Sequence, residues 1–221
     1  MKLDPAVLGI RDSYRMMIHL ITPRPIAWVS TVSPAGVVNV APFSFFNGVA
    51  ASPPTLMFSA VNRRDGSPKD TVRNIEVTGQ FVVNVVSHDM RVPMNATSEE
   101  LPYEQSELAS CGLTAVASER VQPPRIAGVK AAFECERYQI VKVGDGPLAA
   151  NLVIGRILII HVADEVLDAT GNVDPRVLDT IGRMGGEGYT RTTDLFYLPR
   201  PGPGPAGSKP NTLPKKASSD S

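Results

Sequence analysis

Short runs of β-branched, aromatic and other apolar residues recur along the chain, separated by residues that favour turns. The runs cover residues 25–32, 37–43, 55–61, 81–87, 131–143 and 151–162. The turns SPAG (33–36) and GDGP (144–147) place Pro and Gly where a hairpin needs a fixed φ or a positive φ. Six strands with such short connections predict a mainly β fold with a few helices, arranged as an antiparallel barrel or sandwich.

One helix is predicted directly after the strand at 55–61. Ser67 is a suitable N-cap, Pro68 suits the first helical position, and Gly79 suits the end of the helix. A second helix is expected over residues 103–110. Residues 5–19 are compatible with either a short helix or an extended arm.

The composition is that of a globular domain with no net charge. Of the 221 residues, 43% are apolar, and 22 Lys and Arg balance 22 Asp and Glu. We expect one domain over residues 1–198 and a Pro- and Gly-rich tail over 199–221. The charge balance gives no reason to expect nucleic acid or a membrane surface as a partner.

The N-terminal residues lack the continuous apolar segment of a signal peptide, and no apolar run reaches the length of a membrane span. Cys111 and Cys135 have no His or Cys at metal-ligand spacing, so we expect free thiols and no metal site. We therefore expect a cytoplasmic protein.

The segment SAVNRRDGSPKDTVRNI (59–75) concentrates positive charge at one turn. The cations Arg63, Arg64, Lys69 and Arg73 surround the predicted start of the helix, where free N–H groups and the helix dipole favour an anion. Thr71 adds a hydroxyl group there, and Asn62 arrives from the preceding strand. This combination suits a phosphate monoester, and the alternative is a solvated loop whose cations pair with Asp65 and Asp70.

A second candidate binding segment is NVAPFSFFNGVAASPP (39–54), which we expect to be a loop after its first strand. Ser44, Phe45, Phe46 and Asn47 offer polar edges and flat rings to a planar ligand. The alternative is that both phenylalanines belong to the core.

Two further signals are weak. GDGPLA (144–149) matches a dinucleotide-binding pattern, but the β-branched sequence that follows predicts a strand where that pattern requires a helix. The histidines His19, His88 and His161 form no triad or metal motif with a neighbour in sequence.

Taken in order, RPIAWVST (24–31), NVAPFSFF (39–46) and KDTVRNI (69–75) resemble the flavin reductase-like family. The resemblance continues through GRILIIHVAD and RMGGEGY (183–189), and covers about residues 14–198. It implies an antiparallel split β-barrel of the FMN-binding type, forming a homodimer with FMN at the subunit interface.

The resemblance also implies roles for particular residues. Along the isoalloxazine ring it implies Ser30, Thr31, Val32, Ala41, Ser44, Phe45 and Phe46. Toward the ribityl chain and phosphate it implies Ser59, Ala60, Asn62, Arg63, Lys69, Asp70 and Thr71. RMGGEGY would border the ring from the same or the partner chain. His161 and Arg183 become candidates for contacting the second substrate.

The expected activity is that of an NAD(P)H-dependent FMN reductase, because hydride chemistry belongs to the flavin and needs no catalytic triad. NAD(P)H would dock transiently, and a monooxygenase or another redox protein would receive the electrons. The alternative is an FMN-holding electron carrier of the flavoredoxin type, reduced by a protein partner.

Overall fold

The structure is a computed structural model that describes residues 1–198 and 201. The predicted tail at 199–221 lies outside these residues, except for Pro201. The helices are α1 (Pro5–Leu8), α2 (Ile10–Leu20), α3 (Asp70–Thr78), α4 (Arg91–Ala96), α5 (Glu107–Ser110) and α6 (Pro175–Leu178). The strands are β1 (Arg24–Pro25), β2 (Ala27–Val32), β3 (Val38–Phe43), β4 (Phe46–Ala51), β5 (Pro54–Val61), β6 (Gln80–Val85), β7 (Ala115–Val116), β8 (Arg125–Ile126), β9 (Ala131–Val143), β10 (Ala150–Val162), β11 (Ile181–Arg183) and β12 (Tyr189–Arg191).

Seven strands form one antiparallel sheet in the order β3-β2-β6-β9-β10-β5-β4. The sheet curls on itself. As a result, Phe43 of β3 meets Phe58 of β5 near the other edge, with ring centroids 4.9 Å apart. The predicted hairpin is present, with Ser30 opposite Val40 in the β2–β3 pair. The predicted mainly β, antiparallel barrel is therefore confirmed.

Alternate residues of the central strands face opposite sides of the barrel wall, as the pleat requires. Val29, Val83 and Cys135 face the inner core. Trp28 and Glu134 face outward, yet both are fully buried because the segment around residues 117–126 covers this outer face. The barrel therefore has a dry core inside and a second buried layer outside.

Helix α3 packs across the barrel wall with Val72 and Ile75 in the inner core. It ends at Gly79 in the left-handed conformation, as predicted, but its N-cap is Lys69 rather than Ser67. The Ser67 prediction was wrong because Asp65 uses that residue in a local turn, accepting from its N–H at 2.8 Å and its hydroxyl at 2.6 Å.

Three other sequence expectations change in detail. The expected loop after residue 43 contains strand β4, which pairs with β5. The helix expected over residues 103–110 is reduced to α5, with Ser106 as its N-cap. Residues 5–8 and 10–20 are helical, so the N-terminus is not an extended arm.

The residues after the GDGP turn form strand β10, paired with both β9 and β5, so the dinucleotide-binding interpretation is excluded. Cys111 and Cys135 are free thiols. Within the described part of the chain, no helix is long and apolar enough to cross a membrane. The same residues contain no cluster of metal-ligating side chains.

Candidate functional site

A cavity of about 290 Å³ opens between β3, β5, the start of α3 and the segment 97–101. Its size is close to the lower end of the range for small-molecule sites. Eight of the residues proposed from the sequence line it: Ala41, Ser44, Phe45, Ser59, Arg63, Lys69, Asp70 and Thr71. The structure therefore brings together the two segments that the sequence marked independently, the cationic turn and the residues after β3.

The start of α3 supplies free donors to this cavity. The N–H groups of Val72 and Arg73 donate to the Lys69 carbonyl at 2.9 and 3.1 Å. Among the described residues, the N–H groups of Asp70 and Thr71 have no protein acceptor. Two free N–H groups at the positive end of a helix dipole favour an anion.

The cations of the turn are largely paired with carboxylates in the same turn and nearby. Asp70 accepts from Arg63 at 2.6 Å and from Arg73 at 3.2 Å, as the solvated-loop interpretation expected for Asp70. Lys69 instead pairs with Glu100 at 2.6 Å. The hydrogen bond and charge of Lys69 lower the pKa of Glu100. An anion entering the cavity would therefore compete with these carboxylates.

Behind the cavity, a buried carboxylate orients a polar network. Glu107 accepts from Asn39 Nδ2 at 2.9 Å and from the Val40 N–H at 2.8 Å. With its amide fixed in this way, Asn39 turns Oδ1 toward Thr71, whose hydroxyl lies 2.8 Å away. Burial raises the pKa of Glu107, although both hydrogen bonds act in the opposite direction.

The two phenylalanines separate into the two roles that the sequence left open. Phe45 lines the cavity, whereas Phe46 packs against the inner core. Phe45 therefore contributes a flat apolar surface to the cavity, together with Phe43.

Several proposed residues have side chains that do not line the cavity. Ser30 donates to the Pro124 carbonyl, Thr31 lies behind the wall against Asn39 and Asn74, and Val32 and Ala60 are also outside the lining. Asn62 donates to the carbonyls of residues 66 and 146, at 3.1 and 3.2 Å. Its role here is to hold the cationic turn against the GDGP turn.

His161 lies on the outer face of the barrel. Its Nε2 is 2.7 Å from Glu134 Oε1. Glu134 also accepts from the backbone N–H groups of Glu119 and Arg120, at 2.8 and 2.7 Å. Within one chain, His161 therefore belongs to a hydrogen-bond network around the buried carboxylate of Glu134. Its contact with nicotinamide stays a prediction.

Arg183 lies in a second cavity of about 250 Å³ that adjoins the first. Tyr14, Pro42, Ser44 and Ser98 line both cavities, so the two form one continuous groove. The RMGGEGY block is less open than its glycines indicate, because the His19 ring fills the space beside Gly185.

Sequence reasoning missed several lining residues, which are Tyr14, Asn39, Thr97, Ser98, Glu99, Glu100 and Glu107. Asn39 had a usable signal, because it is a polar residue at a position of β3 that faces inward. Glu100 and Glu107 belong to a segment whose path over the barrel no local pattern predicts.

The family model described as "Flavin reductase like domain" matches residues 18–182. The chain therefore belongs to the flavin reductase-like family, which confirms the resemblance seen in its motifs. An uncharacterized protein of Halalkalibacterium halodurans is 41% identical over 203 residues, covering 91% of this chain and 97% of that protein.

Three solved structures show how far the likeness extends. Nitrilotriacetate monooxygenase component B from Bacillus cereus is 33% identical, with a TM-score of 0.85, and covers 90% of this chain and 98% of its own. The 2-nitrobenzoate 2-nitroreductase NbaA of Pseudomonas fluorescens is 29% identical, with a TM-score of 0.81, over 94% and 100% of the two chains. A flavin reductase with split barrel domain from Shewanella frigidimarina is 22% identical, with a TM-score of 0.77, over 90% of this chain and 99% of its own. This likeness confirms the split-barrel fold.

Proposed function

We propose that the protein binds FMN in the first cavity and transfers hydride from NAD(P)H to the flavin. The observation that carries the proposal is the arrangement of this cavity. At one end it has the free N–H groups of Asp70 and Thr71, and on its wall it has the ring of Phe45. Membership of the flavin reductase-like family supports the same conclusion.

The donor set fits a flavin mononucleotide. A terminal phosphate is the part of FMN that a helix start and Lys69 would hold. Phe45 and Ala41 give the apolar surface that an isoalloxazine ring requires, and Ser44 and Ser59 supply polar edges. When bound, the flavin supplies the hydride-accepting chemistry.

The contribution of this chain is to bind and to orient. The ion pair between Lys69 and Glu100 is partly exposed, with side chains 33% and 61% accessible. Exposed pairs contribute only about 0–1 kcal/mol, so Lys69 can exchange Glu100 for a phosphate at small cost. The more buried pair between Arg63 and Asp70 would stay intact and hold the turn in shape.

The likeness to a monooxygenase component B supports a partner monooxygenase as the acceptor of reduced flavin. A homodimer is part of the same proposal, since an apolar residue near the end of β10, Ile160, remains 57% exposed in one chain.

Anaerobic mixing tests the proposal. FMN-loaded protein is mixed with excess NADH, and separately with excess NADPH, while the visible flavin band is followed. Bleaching within seconds by at least one nucleotide is expected, and steady consumption of nucleotide is expected when FMN is added in air. A protein that fails to bind FMN at micromolar concentration contradicts the cofactor assignment.

Reduction by dithionite but by neither nucleotide contradicts the reductase assignment instead. The FMN-holding electron carrier would then replace it, and the search would turn to the protein that reduces it.

A further inference from the structure

The second cavity brings two arginines together. Arg24 and Arg183 are directly opposite each other in the antiparallel pair of β1 and β11, and both line this cavity. Like charges at opposed positions of a sheet destabilise it. Among the described residues, neither arginine has a carboxylate within ion-pair distance, whereas Arg63, Arg156 and Arg191 each have one.

The hydrogen bonds of Arg24 offset its charge only in part, because its acceptors at the end of α2 carry partial rather than full negative charge. Its guanidinium donates only to backbone carbonyls, those of Ile18, Ile21 and Met184, the last two at 2.8 and 2.9 Å. The side chain is 4% exposed, and its Nε has no partner. Burial and, less strongly, the charge of Arg183 lower the pKa of Arg24, while Tyr14 acts in the opposite direction.

Arg183 also has no carboxylate partner among the described residues, and it is more accessible than Arg24. It donates to the Gly186 carbonyl at 2.7 Å and lies over the Tyr189 ring, 4.5 Å from its centroid. The ring and the carbonyl hold the guanidinium in place at the groove. A buried or half-buried cation pair without an anion is costly, and an anion bound between the two would remove that cost.

We propose that this second cavity binds an anionic oxygen group, a carboxylate or a phosphate, carried by the second substrate. The inference rests on the proposed function, because Tyr14, Pro42, Ser44 and Ser98 join this cavity to the flavin cavity. Arg183 is the contacting residue. Arg24 is a positioning residue that fixes Met184 beside it and adds its charge. An uncharged substrate would leave both arginines unneutralised, so the site selects for anions.

Titration calorimetry of the FMN-loaded protein tests this with matched probes. Sodium benzoate is compared with neutral benzamide, and adenosine 2′,5′-bisphosphate with neutral adenosine. At least one anion is expected to bind tenfold or more tightly than its neutral counterpart, and Arg183→Gln is expected to abolish that preference. A benzoate preference identifies a carboxylate on an organic acid as the source, and a bisphosphate preference identifies a nucleotide phosphate.

Arg15→Gln on α2 is the control, because it removes the same charge from a residue that lines neither cavity. It should leave the anion preference unchanged. Equal binding of anions and neutral analogues, or an anion preference that survives Arg183→Gln, overturns the proposal. Repeating the titrations on flavin-free protein separates this result from the proposed function, since FMN retention is measured independently.

Discussion

Lys69 Nζ lies 2.6 Å from Glu100 Oε1, and both residues line the first cavity, where we propose that FMN binds. Glu100 therefore already forms an ion pair with Lys69, the cation that we expect to bind the phosphate. Glu100→Gln should raise FMN affinity about threefold to tenfold, because it removes both the competitor and a repelling charge. Riboflavin affinity should not change, since riboflavin has no phosphate. Fluorescence titration of both flavins measures the difference.

Glu104→Gln is the matched control for Glu100→Gln, because Glu104 is exposed and does not line the cavity. An unchanged FMN affinity in Glu100→Gln, or an equal gain in the control, would show that Lys69 is not a phosphate ligand.

Lys69→Ala removes the other partner of this ion pair and should have the opposite effect on FMN affinity. A charge-assisted hydrogen bond contributes about 1.5–3 kcal/mol, so FMN should bind at least tenfold more weakly. Riboflavin should bind almost as before. Equal losses for both flavins, measured by the same titration, would mean that this turn does not recognise the phosphate.

The β2–β3 hairpin was predictable because both determinants are local, a turn sequence at 33–36 and two β-branched runs. Strand β4 was missed because Gly48 and three alanine or serine neighbours carry little β propensity. Pairing with β5 imposes that strand, and pairing is not a local property.

Only part of the lining of the first cavity was predictable from the sequence, for the same reason. Its wall from β3, β5 and α3 follows from motifs, and eight proposed residues line it. The other wall comes from the segment 97–107, which is held by long-range contacts such as that of Asn39 with Glu107. The cap of α3 was misplaced because Asp65 competes for Ser67.

Glu107 should make the protein less stable as pH rises. Burial raises its pKa in the folded state, so its stabilising contribution is complete below the unfolded value of about 4.3 and is lost as pH rises through the higher folded value. Glu107→Gln should remove this part of the pH dependence. It should also cost about 1–3 kcal/mol, because Asn39 and Val40 donate to different oxygens of Glu107 and the amide N–H₂ would face one of these donors. Urea unfolding at several pH values measures both effects, and an unchanged pH profile contradicts the first.

A homodimer should form through the surface that contains Ile160 of β10. Light scattering should give twice the chain mass of 23.7 kDa. Ile160→Lys places a charge on an accessible apolar position and should shift the protein toward the monomer. Lys142→Ala changes an exposed residue of the adjacent strand and serves as the control. A single-chain mass for the unmodified protein at working concentration would refute the dimer.

Glu134 should behave in the opposite way to Glu107. Burial alone would raise its pKa, but the hydrogen bonds from Glu119, His161 and Arg120 outweigh burial and lower it. A lowered folded pKa stabilises the protein above the unfolded value of about 4.3, and this stability is lost as pH falls through the folded value. Glu134→Gln should therefore flatten the acid limb of the stability curve and cost about 1–3 kcal/mol at neutral pH, because its amide N–H₂ would face a donor.

The control for Glu134→Gln is Glu136, which lies two residues along β9 and forms an exposed ion pair with Arg156 of β10. Glu136→Gln should cost less than about 1 kcal/mol and leave the acid limb intact. FMN affinity should be unchanged in both variants, because the hydrogen-bond network around Glu134 lies on the outer face of the barrel, away from the first cavity. A Glu134→Gln protein that keeps the full acid dependence, measured by urea unfolding between about pH 3 and pH 7, would show that another carboxylate sets it. Loss of FMN binding in that variant would instead show that the hydrogen-bond network around Glu134 influences the proposed FMN site.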